Sequence, residues 1–454
     1  MRARARYKGN KLPWVVRPSV GFPGRLRRLR LPNGLDVLLG RDPQSPTVSC
    51  WVWYHVGSVH EHPGITGVSH WVEHMMFQGS PHYGKGDIDR AIFAIGGMSN
   101  AFTDTDFTAY FATVPRERWE VPLAIESDRM VDARMDRTDS DRERTIILSE
   151  REGNENRPEF RVDEELIALA FRHHPYRWDP LGFADDMARM PTSAVAEYYR
   201  RFYSPRNALL VLTGGFEEES ALRSIRQRFG PIAARGDLPR VDSTEPPIRG
   251  SRRSDLAGPG STALIQIGWH APAFGDPHTP AAMLLDQILG GETSLFSPQT
   301  FWSRFPEHPN SRLYRRLVRA GLAVRATSDY RPRIYPGLLT LQALAAPGVG
   351  LDRVEEALRE EVQRLRRDGV TPTEWTDARA IIARGARLAY EGSTRSGFRL
   401  GFFGVNGGLA RERQLLQAVL GVRRSEVRSE AERLLADDSS VTVRYTPTGA
   451  MTGE

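Results

Sequence analysis

The chain has 454 residues, 40% of them hydrophobic and 26% charged, and a formal net charge of +6. This composition is typical of a globular protein with more than one domain, and it excludes a disordered chain. No run of about 18 apolar residues is present, so we expect no membrane-spanning helix. The single cysteine, Cys50, excludes a disulfide framework and a thiolate metal cluster.

Residues 1–24 carry basic but no acidic side chains and include three prolines. No apolar stretch follows them, so they are not typical of a secretory signal. We expect a basic extended arm on a cytoplasmic protein. Nucleic-acid binding, which the net charge alone would suggest, is disfavoured because basic and acidic residues are interleaved after residue 40 and form no basic cluster.

The first half of the chain alternates between strand and helix patterns. Strand-like residues run from Arg25 to Val56 around a Pro-Asn-Gly turn at 32–34. The later elements are predicted in this order: a helix opening after Gly67, a helix at 86–95 ended by Gly96-Gly97, strands at 98–104 and 107–114, helical patterns from 116 to 156, a helix at 190–202, a strand at 208–213, and a short helix after Gly215.

The second half repeats this order after a stretch rich in proline, glycine and charge, which predicts a linker at 233–254. Its elements are predicted as a strand at 262–269, a helix at 278–289, strands at 322–330 and 336–345, helices at 351–367 and 372–391 with others to about 435, and a last strand at 439–446. The matching order predicts an internal duplication. We expect an α+β fold with a domain at 25–232 and a homologous domain at 255–454.

Five residues of the first predicted helix, His70-Trp-Val-Glu73-His74, carry the clearest chemical signal. Residues four apart on a helix share one face, so both histidines could bind a single metal ion. Glu73 lies on the same side and could act on a water bound to that ion. This H-x-x-E-H order is the inverse of the common zinc-protease motif. Five ordinary surface residues of a helix are the alternative.

A catalytic zinc usually has three protein ligands, and the sequence offers two candidates for the third. Glu143 and Glu150 lie two helical turns apart in the charged stretch 137–155, so they share a face. Glutamates in such helices usually face solvent. The spacing alone does not choose between the two.

Several motifs in order resemble those of the pitrilysin/insulinase family of zinc peptidases. The segment from Gly67 to Ser80 resembles the active-site helix of that family, and the eight residues from Glu143 to Glu150 resemble its E-R-x-x-x-x-x-E stretch. Further similarities are Leu31-Pro-Asn-Gly34, Gly57-Ser58, Asn100-Ala-Phe-Thr103, Asp106, Thr108-Ala-Tyr110, His174-Pro-Tyr176 and Tyr203-Ser-Pro-Arg-Asn207.

The resemblance implies a role for each matching residue and one Zn²⁺ per chain. It assigns His70, His74 and Glu150 as metal ligands, Glu73 as the general base, and Glu143 as a carboxylate that orients the site. It further implies that Asn100 and Ala101 lie on a strand edge that pairs with the substrate backbone, and that Phe77 lines the pocket after the scissile bond. From the residues alone, Asn100 could instead be a turn residue and Phe77 a core residue.

The second half departs from the family pattern. Family peptidases place an arginine and a tyrosine that contact substrate in a stretch like the one at 311–324, where this chain has Val318 and Val324. A segment at 292–310 is additional. Some family members divide labour between two subunits that close like a clamshell, and the loss of the pair favours such a heterodimer, in which this chain would form half of the clamshell. A homodimer, or a non-catalytic scaffold subunit of the same fold, is the alternative.

The glycine-rich tract at 401–408 could be mistaken for a phosphate-binding loop. No Lys-Ser or Lys-Thr pair follows it, however, as that motif requires. We expect a bend between two helices instead.

Overall fold

The computed structural model describes residues 14–16, 21–236, 240–291 and 308–449. The strands of the first half are β1 (Trp14–Val16), β2 (Arg25–Arg30), β3 (Asp36–Arg41), β4 (Thr47–Tyr54), β5 (Met98–Thr103), β6 (Thr108–Pro115) and β7 (Ala208–Gly214). Its helices are α1 (Val68–Met75), α2 (Asp87–Phe93), α3 (Glu120–Asp132), α4 (Arg137–Glu155), α5 (Pro158–Ala170), α6 (Ala184–Arg189), α7 (Thr192–Phe202) and α8 (Glu218–Phe229).

The strands of the first half form one mixed sheet in the order β1-β2-β3-β7-β4-β6-β5. Strands β3 and β7 run parallel, and the other neighbouring strands run antiparallel. Strand β5 lies at one edge of the sheet, so its outer backbone groups have no strand partner among the described residues. Alternate residues of β4, including Cys50, face the buried core beneath α1, α3 and α7.

The second half contains a five-stranded sheet in the order β10-β11-β9-β12-β8. Its strands are β8 (Arg252–Gly258), β9 (Leu264–Ala271), β10 (Ala323–Tyr330), β11 (Gly337–Ala345) and β12 (Val441–Pro447). Its helices are α9 (Thr279–Leu289), α10 (Leu351–Asp368), α11 (Pro372–Leu388), α12 (Gly392–Val405), α13 (Leu409–Gly421) and α14 (Arg424–Leu434). The predicted α+β fold of two helix-covered, mostly antiparallel sheets is confirmed.

The structure differs from the sequence prediction in a few elements. The helical pattern from 116 to 156 is two helices, since the chain is extended at Ala133 and Asp136 accepts a hydrogen bond from Asp139 N at the start of α4. Helix α5 was not predicted, and β8 begins inside the stretch assigned to the linker. Most of the predicted basic arm and of the additional segment at 292–310 lies outside the described residues.

Each half lends one helix to the sheet of the other. Helix α5 packs on β9 and β12, while α12 packs on β4 and β7. Part of the glycine tract belongs to α12, which corrects the prediction of a simple bend. A methyl group at Gly401 would overlap the indole of Trp53, and one at Gly397 would overlap Trp51. The glycines therefore let α12 approach the sheet closely, and the chain turns only at Gly407-Gly408, where φ is positive.

Within the described ranges, the structure contains no helix that is both long and apolar enough to cross a lipid bilayer.

Candidate metal centre

Helix α1 is fixed to the protein at its N-terminus by a buried carboxylate. Glu61 accepts hydrogen bonds from Gly67 N at 2.7 Å and from Ser69 N at 2.9 Å. These bonds satisfy two of the N–H groups that have no partner within the helix at its N-terminus. Burial raises the pKa of Glu61 to about 8, although these hydrogen bonds favour its charged form. No pattern in the sequence indicates this contact, because Glu61 lies outside the motif.

The two motif histidines lie next to each other on one face of α1. Their ring centroids are 4.7 Å apart. The opposite face of the helix is buried through Trp71, Val72 and Met75, which lie in the core of the first domain. The apolar residues of the motif therefore seat the helix, and the histidines project from the face that is not packed on that core.

Helix α4 brings Glu150 to the histidines. Glu150 Oε2 lies 3.8 Å from His70 Nε2 and 3.6 Å from His74 Nε2. The ligand atoms of these three residues all lie within 4.8 Å of one another. Burial differs across the trio: His70 is buried, whereas the Glu150 side chain is 45% exposed. The open side of the cluster therefore faces solvent at Glu150.

This donor set fits a zinc ion. Tetrahedral zinc with ligands at about 2.0–2.1 Å separates its donor atoms by about 3.3 Å. The separations of 3.6 and 3.8 Å between Glu150 and the histidine nitrogens need to shrink by only a few tenths of an ångström. Two imidazoles and one carboxylate are a common protein set for catalytic zinc, and they leave one position open.

Glu143 lies behind His74. Its Oε2 atom is 3.1 Å from His74 Nδ1. A carboxylate that accepts a proton from Nδ1 leaves the Nε2 lone pair of the imidazole directed at the metal position. Glu143 is buried, and Lys85 Nζ lies 3.9 Å from its other oxygen. Glu143 and Glu150 thus lie next to different nitrogen atoms of the His74 ring, Nδ1 and Nε2.

The electrostatics of the cluster follow from burial and from the two acids. Burial lowers the pKa of His70 to about 4, so its ring is neutral near pH 7. Burial also lowers the pKa of His74, but the carboxylates of Glu150 and Glu143 outweigh it and the net pKa is raised. The contact with His74 lowers the pKa of Glu150. A metal ion would take the place of the proton that these acids favour on His74.

Glu73 lies beside the cluster and is held by a strand of the sheet. Thr103 Oγ1, at the end of β5, donates a hydrogen bond to Glu73 Oε2 at 2.6 Å. Burial raises the pKa of Glu73 to about 7, while this hydrogen bond and His74 favour the charged form. A carboxyl group with a pKa near neutrality can accept and return a proton at physiological pH.

Two arginines that the sequence analysis overlooked hold α4 in place. Arg144 Cζ lies 4.6 Å from the centre of the Trp71 ring, and Arg144 Nη1 donates to Met187 O and Ala188 O at 2.9 Å each. Arg151, two turns further along, donates to Gly182 O and bonds Glu164 at 2.6 Å. Their spacing of seven was visible in the sequence, but their partners were not.

The residues predicted to bind substrate lie on strand β5, which contacts α1, and in the turn after α1. Asn100 and Ala101 belong to edge strand β5, so the alternative of a turn residue for Asn100 is wrong. Asp104 N donates a hydrogen bond to Phe107 O, and hydrogen-bonded pairs alternate with non-hydrogen-bonded pairs along an antiparallel ladder. The N–H of Ala101 therefore points away from β6, towards the open edge of the sheet. Asn100 Oδ1 accepts that N–H at 2.8 Å.

Phe77 follows the motif by one turn and is half buried. Its ring centroid lies 6.2 Å from that of Tyr110, and Arg129 Cζ lies 5.3 Å from its centre. Arg129 is buried and paired with Glu126 through two hydrogen bonds. The surroundings of the Phe77 ring therefore include the ion pair of Arg129 and Glu126 and are not purely apolar.

The second half supplies neither group of the expected arginine and tyrosine pair at the aligned positions. Val318 is partly buried at the end of a short π-helix, and Val324 is an exposed residue of edge strand β10. Arg319, which could have replaced the arginine by a shift of one residue, lies with its Cζ 6.0 Å from the Tyr314 ring.

Comparison with known proteins identifies the family. The sequence profile described as Insulinase (Peptidase family M16) matches residues 36–179, which include the whole cluster. A second profile, described as the Peptidase M16 inactive domain, matches residues 191–382. The chain belongs to peptidase family M16. The family that the motifs of the first half resemble is therefore confirmed.

Similar proteins match nearly the whole chain. An uncharacterized zinc protease of Mycobacterium bovis is 27% identical over 90% of this chain and 91% of its own length. The uncharacterized zinc protease YmxG of Bacillus subtilis is 24% identical over 94% of this chain and 99% of its own. The crystal structure of a protease from Helicobacter pylori shares the fold with a TM-score of 0.87 and 22% identity, covering 93% of this chain and 100% of its own.

Proposed function

We propose that this protein is a zinc-dependent endopeptidase that cleaves peptides or unstructured segments of polypeptides. The observation that carries the proposal is the convergence of His70, His74 and Glu150 within 4.8 Å beside the buried carboxyl group of Glu73. His70, His74 and Glu150 would hold one zinc ion. When bound, zinc would lower the pKa of a water ligand towards 7 and polarise the scissile carbonyl group.

Glu73 is proposed as the general base. Its carboxylate would accept a proton from the attacking water and return it to the nitrogen of the leaving amine. Thr103 would keep one carboxylate oxygen in place during both transfers through its 2.6 Å hydrogen bond. Glu143 would hold His74 in the tautomer whose Nε2 can bind the metal.

The substrate would bind as an added strand along β5. Main-chain bonds to an edge strand accept many side chains, so extended peptides are the expected substrate class. Because Asn100 Oδ1 covers the N–H of Ala101, a bound peptide would have to displace this side chain and use the same N–H. Phe77 would contact the residue after the scissile bond.

The proposed assembly is a heterodimer in which a homologous subunit supplies the missing arginine and tyrosine. The support is the aliphatic character of Val318 and Val324 in this chain. A homodimer that uses other residues is the alternative. A cytoplasmic location is part of the same proposal.

The test is cleavage of a quenched, unstructured peptide by the purified chain, with and without a paralogue that carries the Arg/Tyr pair. We expect chelator-sensitive cleavage that requires the paralogue. The Glu73→Gln variant should keep stoichiometric zinc and lose between about a hundredfold and ten-thousandfold in kcat, which is the usual contribution of a general base. Cleavage by Glu73→Gln at the wild-type rate would overturn the role of Glu73.

Normal turnover by the chain alone would overturn the heterodimer and leave the peptidase intact. The second candidate function is a non-catalytic scaffold subunit, favoured only by the second domain's match to an inactive-domain profile. A scaffold would purify without stoichiometric zinc and would cleave nothing with any paralogue. Metal analysis together with the peptide assay therefore separates the two functions.

A further inference from the structure

The turn that follows Thr103 is held by both halves of the molecule. Residues 104–107 connect β5 to β6, and Asp104 N donates to Phe107 O at 2.8 Å to close the turn. From the first half, Ser58 N and Val59 N donate to the turn carbonyls of Asp104 and Thr105. This accounts for Gly57, where a methyl group would overlap those carbonyl oxygens.

In the second half, the loop between β10 and β11 contacts the same turn. Arg333 Nη1 donates to Asp104 Oδ1 at 2.9 Å and also to Thr105 Oγ1. Next to it, Ile334 N donates to Asp106 Oδ2 at 3.2 Å. The loop itself is anchored in the second domain, because Phe274 N donates to the carbonyl oxygen of Arg333 at 2.6 Å.

A tyrosine of the first half bonds both the turn and the loop of the second half. Tyr176 OH donates to Asp106 Oδ1 at 2.7 Å and accepts a bond from Tyr335 N at 3.2 Å. The guanidinium carbon of Arg333 lies 5.5 Å from the centre of the Tyr176 ring. Asp106 and His174-Pro-Tyr176 were among the family-like motifs that the metal centre leaves without a role. They meet here, at the contact between the halves.

From these contacts we infer that Arg333 is a positioning residue for the catalytic base: it fixes the Asp104–Asp106 turn, and the turn fixes the Thr103 hydroxyl that holds Glu73. The inference rests on the proposed peptidase function. It gives the half that lacks the zinc motif a part in positioning the base, because the base would be aligned only while the second domain is docked against the first.

The geometry explains why the contact would affect the rate more than binding. Thr103 is the last residue of β5 and is covalently joined to Asp104, so loosening the turn moves the hydroxyl that orients Glu73. The proposed zinc ligands lie on α1 and α4, which the turn does not carry. A small misplacement of a reacting group can cost about a hundredfold in rate. We therefore expect an effect on kcat with little effect on KM or zinc content.

The test compares Arg333→Met with Arg331→Met in the full-length chain. Arg331 is the matched control for the loss of charge, since it lies in the same loop and its charge also acts on Asp104, but its Nε is 3.6 Å from Asp329. Hydrogen exchange of the backbone amides is measured in the zinc-loaded and zinc-free protein. Arg333→Met should speed exchange at Asp104 N and Val59 N about tenfold in both forms, and Arg331→Met should not.

Kinetics are then measured in the preparation that cleaves peptide. Arg333→Met should lower kcat about tenfold at unchanged KM, and Arg333→Lys, which keeps a donor for Asp104, should recover part of the loss. Thr103→Val should lower kcat similarly, and the double variant should be no slower than Thr103→Val alone, because both act on one group.

The inference is overturned if exchange in the turn is unchanged in Arg333→Met, or if exchange rises while kcat stays at the wild-type value. It is also overturned if the two substitutions multiply their effects in the double variant. Failure of the proposed function has a different signature, since the wild-type chain would then cleave no peptide with or without a paralogue.

Discussion

The guanidinium group of Arg144 lies over the indole ring of Trp71, 4.6 Å from its centre. Trp71 is on the helix that carries both histidines, and Arg144 is on the helix that carries Glu150. Arg144 also donates two hydrogen bonds, to the carbonyl groups of Met187 and Ala188. Together these contacts fix the position of α4 along α1. The position of Glu150 relative to the histidines depends on that register.

Arg144→Met should therefore weaken both stability and metal binding. Loss of the stacked cation and of two hydrogen bonds should lower the free energy of unfolding by about 2 kcal/mol, and zinc affinity should fall several-fold. Urea unfolding and competition with a chromogenic chelator measure the two effects. Arg142→Met is the control, because Arg142 lies on the same helix with a side chain that is 67% exposed. Equal zinc affinity in the two variants would contradict this role.

Three of the four glutamates of α4 should differ sharply in their effect on zinc. Glu150→Gln should abolish stoichiometric zinc binding, since it removes a charged ligand. Glu143→Gln should keep zinc but weaken it about 10–100-fold, the usual effect of removing a partner of a metal-binding histidine. Glu152→Gln, at an exposed position, should bind zinc like the wild type. Metal analysis and chelator competition give the order, and stronger loss in Glu143→Gln than in Glu150→Gln would reverse the two assignments.

The pH dependence of activity should report the bond between Thr103 and Glu73. Glu73 must be ionised to accept a proton, so activity falls as the pH drops through its pKa, which burial raises to about 7. The Thr103 hydroxyl stabilises the charged form. Thr103→Val should therefore raise the pKa further and move the acid limb of the kcat/KM profile to higher pH.

Thr113→Val is the matched control for that profile, because Thr113 lies on the same sheet as Thr103 and its hydroxyl bonds Ser49 and Thr394, not Glu73. Its acid limb should coincide with that of the wild type. A shift to lower pH in Thr103→Val would show that the hydroxyl does not stabilise the ionised base.

The glycines of α12 should tolerate substitution poorly. Gly401→Ala would force a methyl group into the Trp53 indole and should lower the free energy of unfolding by about 2 kcal/mol, as overpacking typically does. Gly153→Ala, in α4 with no neighbour within 4 Å, should instead stabilise by about 0.8–1.0 kcal/mol, the difference in helix propensity between alanine and glycine. Urea unfolding of the two variants checks the difference in sign.

Much of the fold was predictable because its signals are local. Glycine pairs, alternating apolar residues and helical periodicity gave the order of strands and helices, including edge strand β5 and helix α9. The sequence predicts no helix at α5, and it predicts a bend at 401–408. Both are helices that pack on the sheet of the other half, so their patterns reflect partners far away in the chain.

The metal cluster was predictable in part for the same reason. His70 and His74 share a face through the helix repeat alone, and Glu143 and Glu150 do so on α4. The periodicity left two candidates for the third carboxylate, and only the resemblance to a family chose between them. In the structure Glu150 lies 3.6 Å from His74 Nε2, while Glu143 lies on the Nδ1 side of the same ring.

The sequence by itself therefore determined which residue types stand one helical turn apart, since repeat geometry acts within a single element. Only the tertiary structure decided which residues they contact. Thr103 bonds Glu73, 30 residues away in the sequence, Arg144 stacks on Trp71, and Arg333 bonds Asp104, 229 residues away. Contacts between elements depend on how sheets and helices pack together, and no local pattern in the sequence encodes that packing.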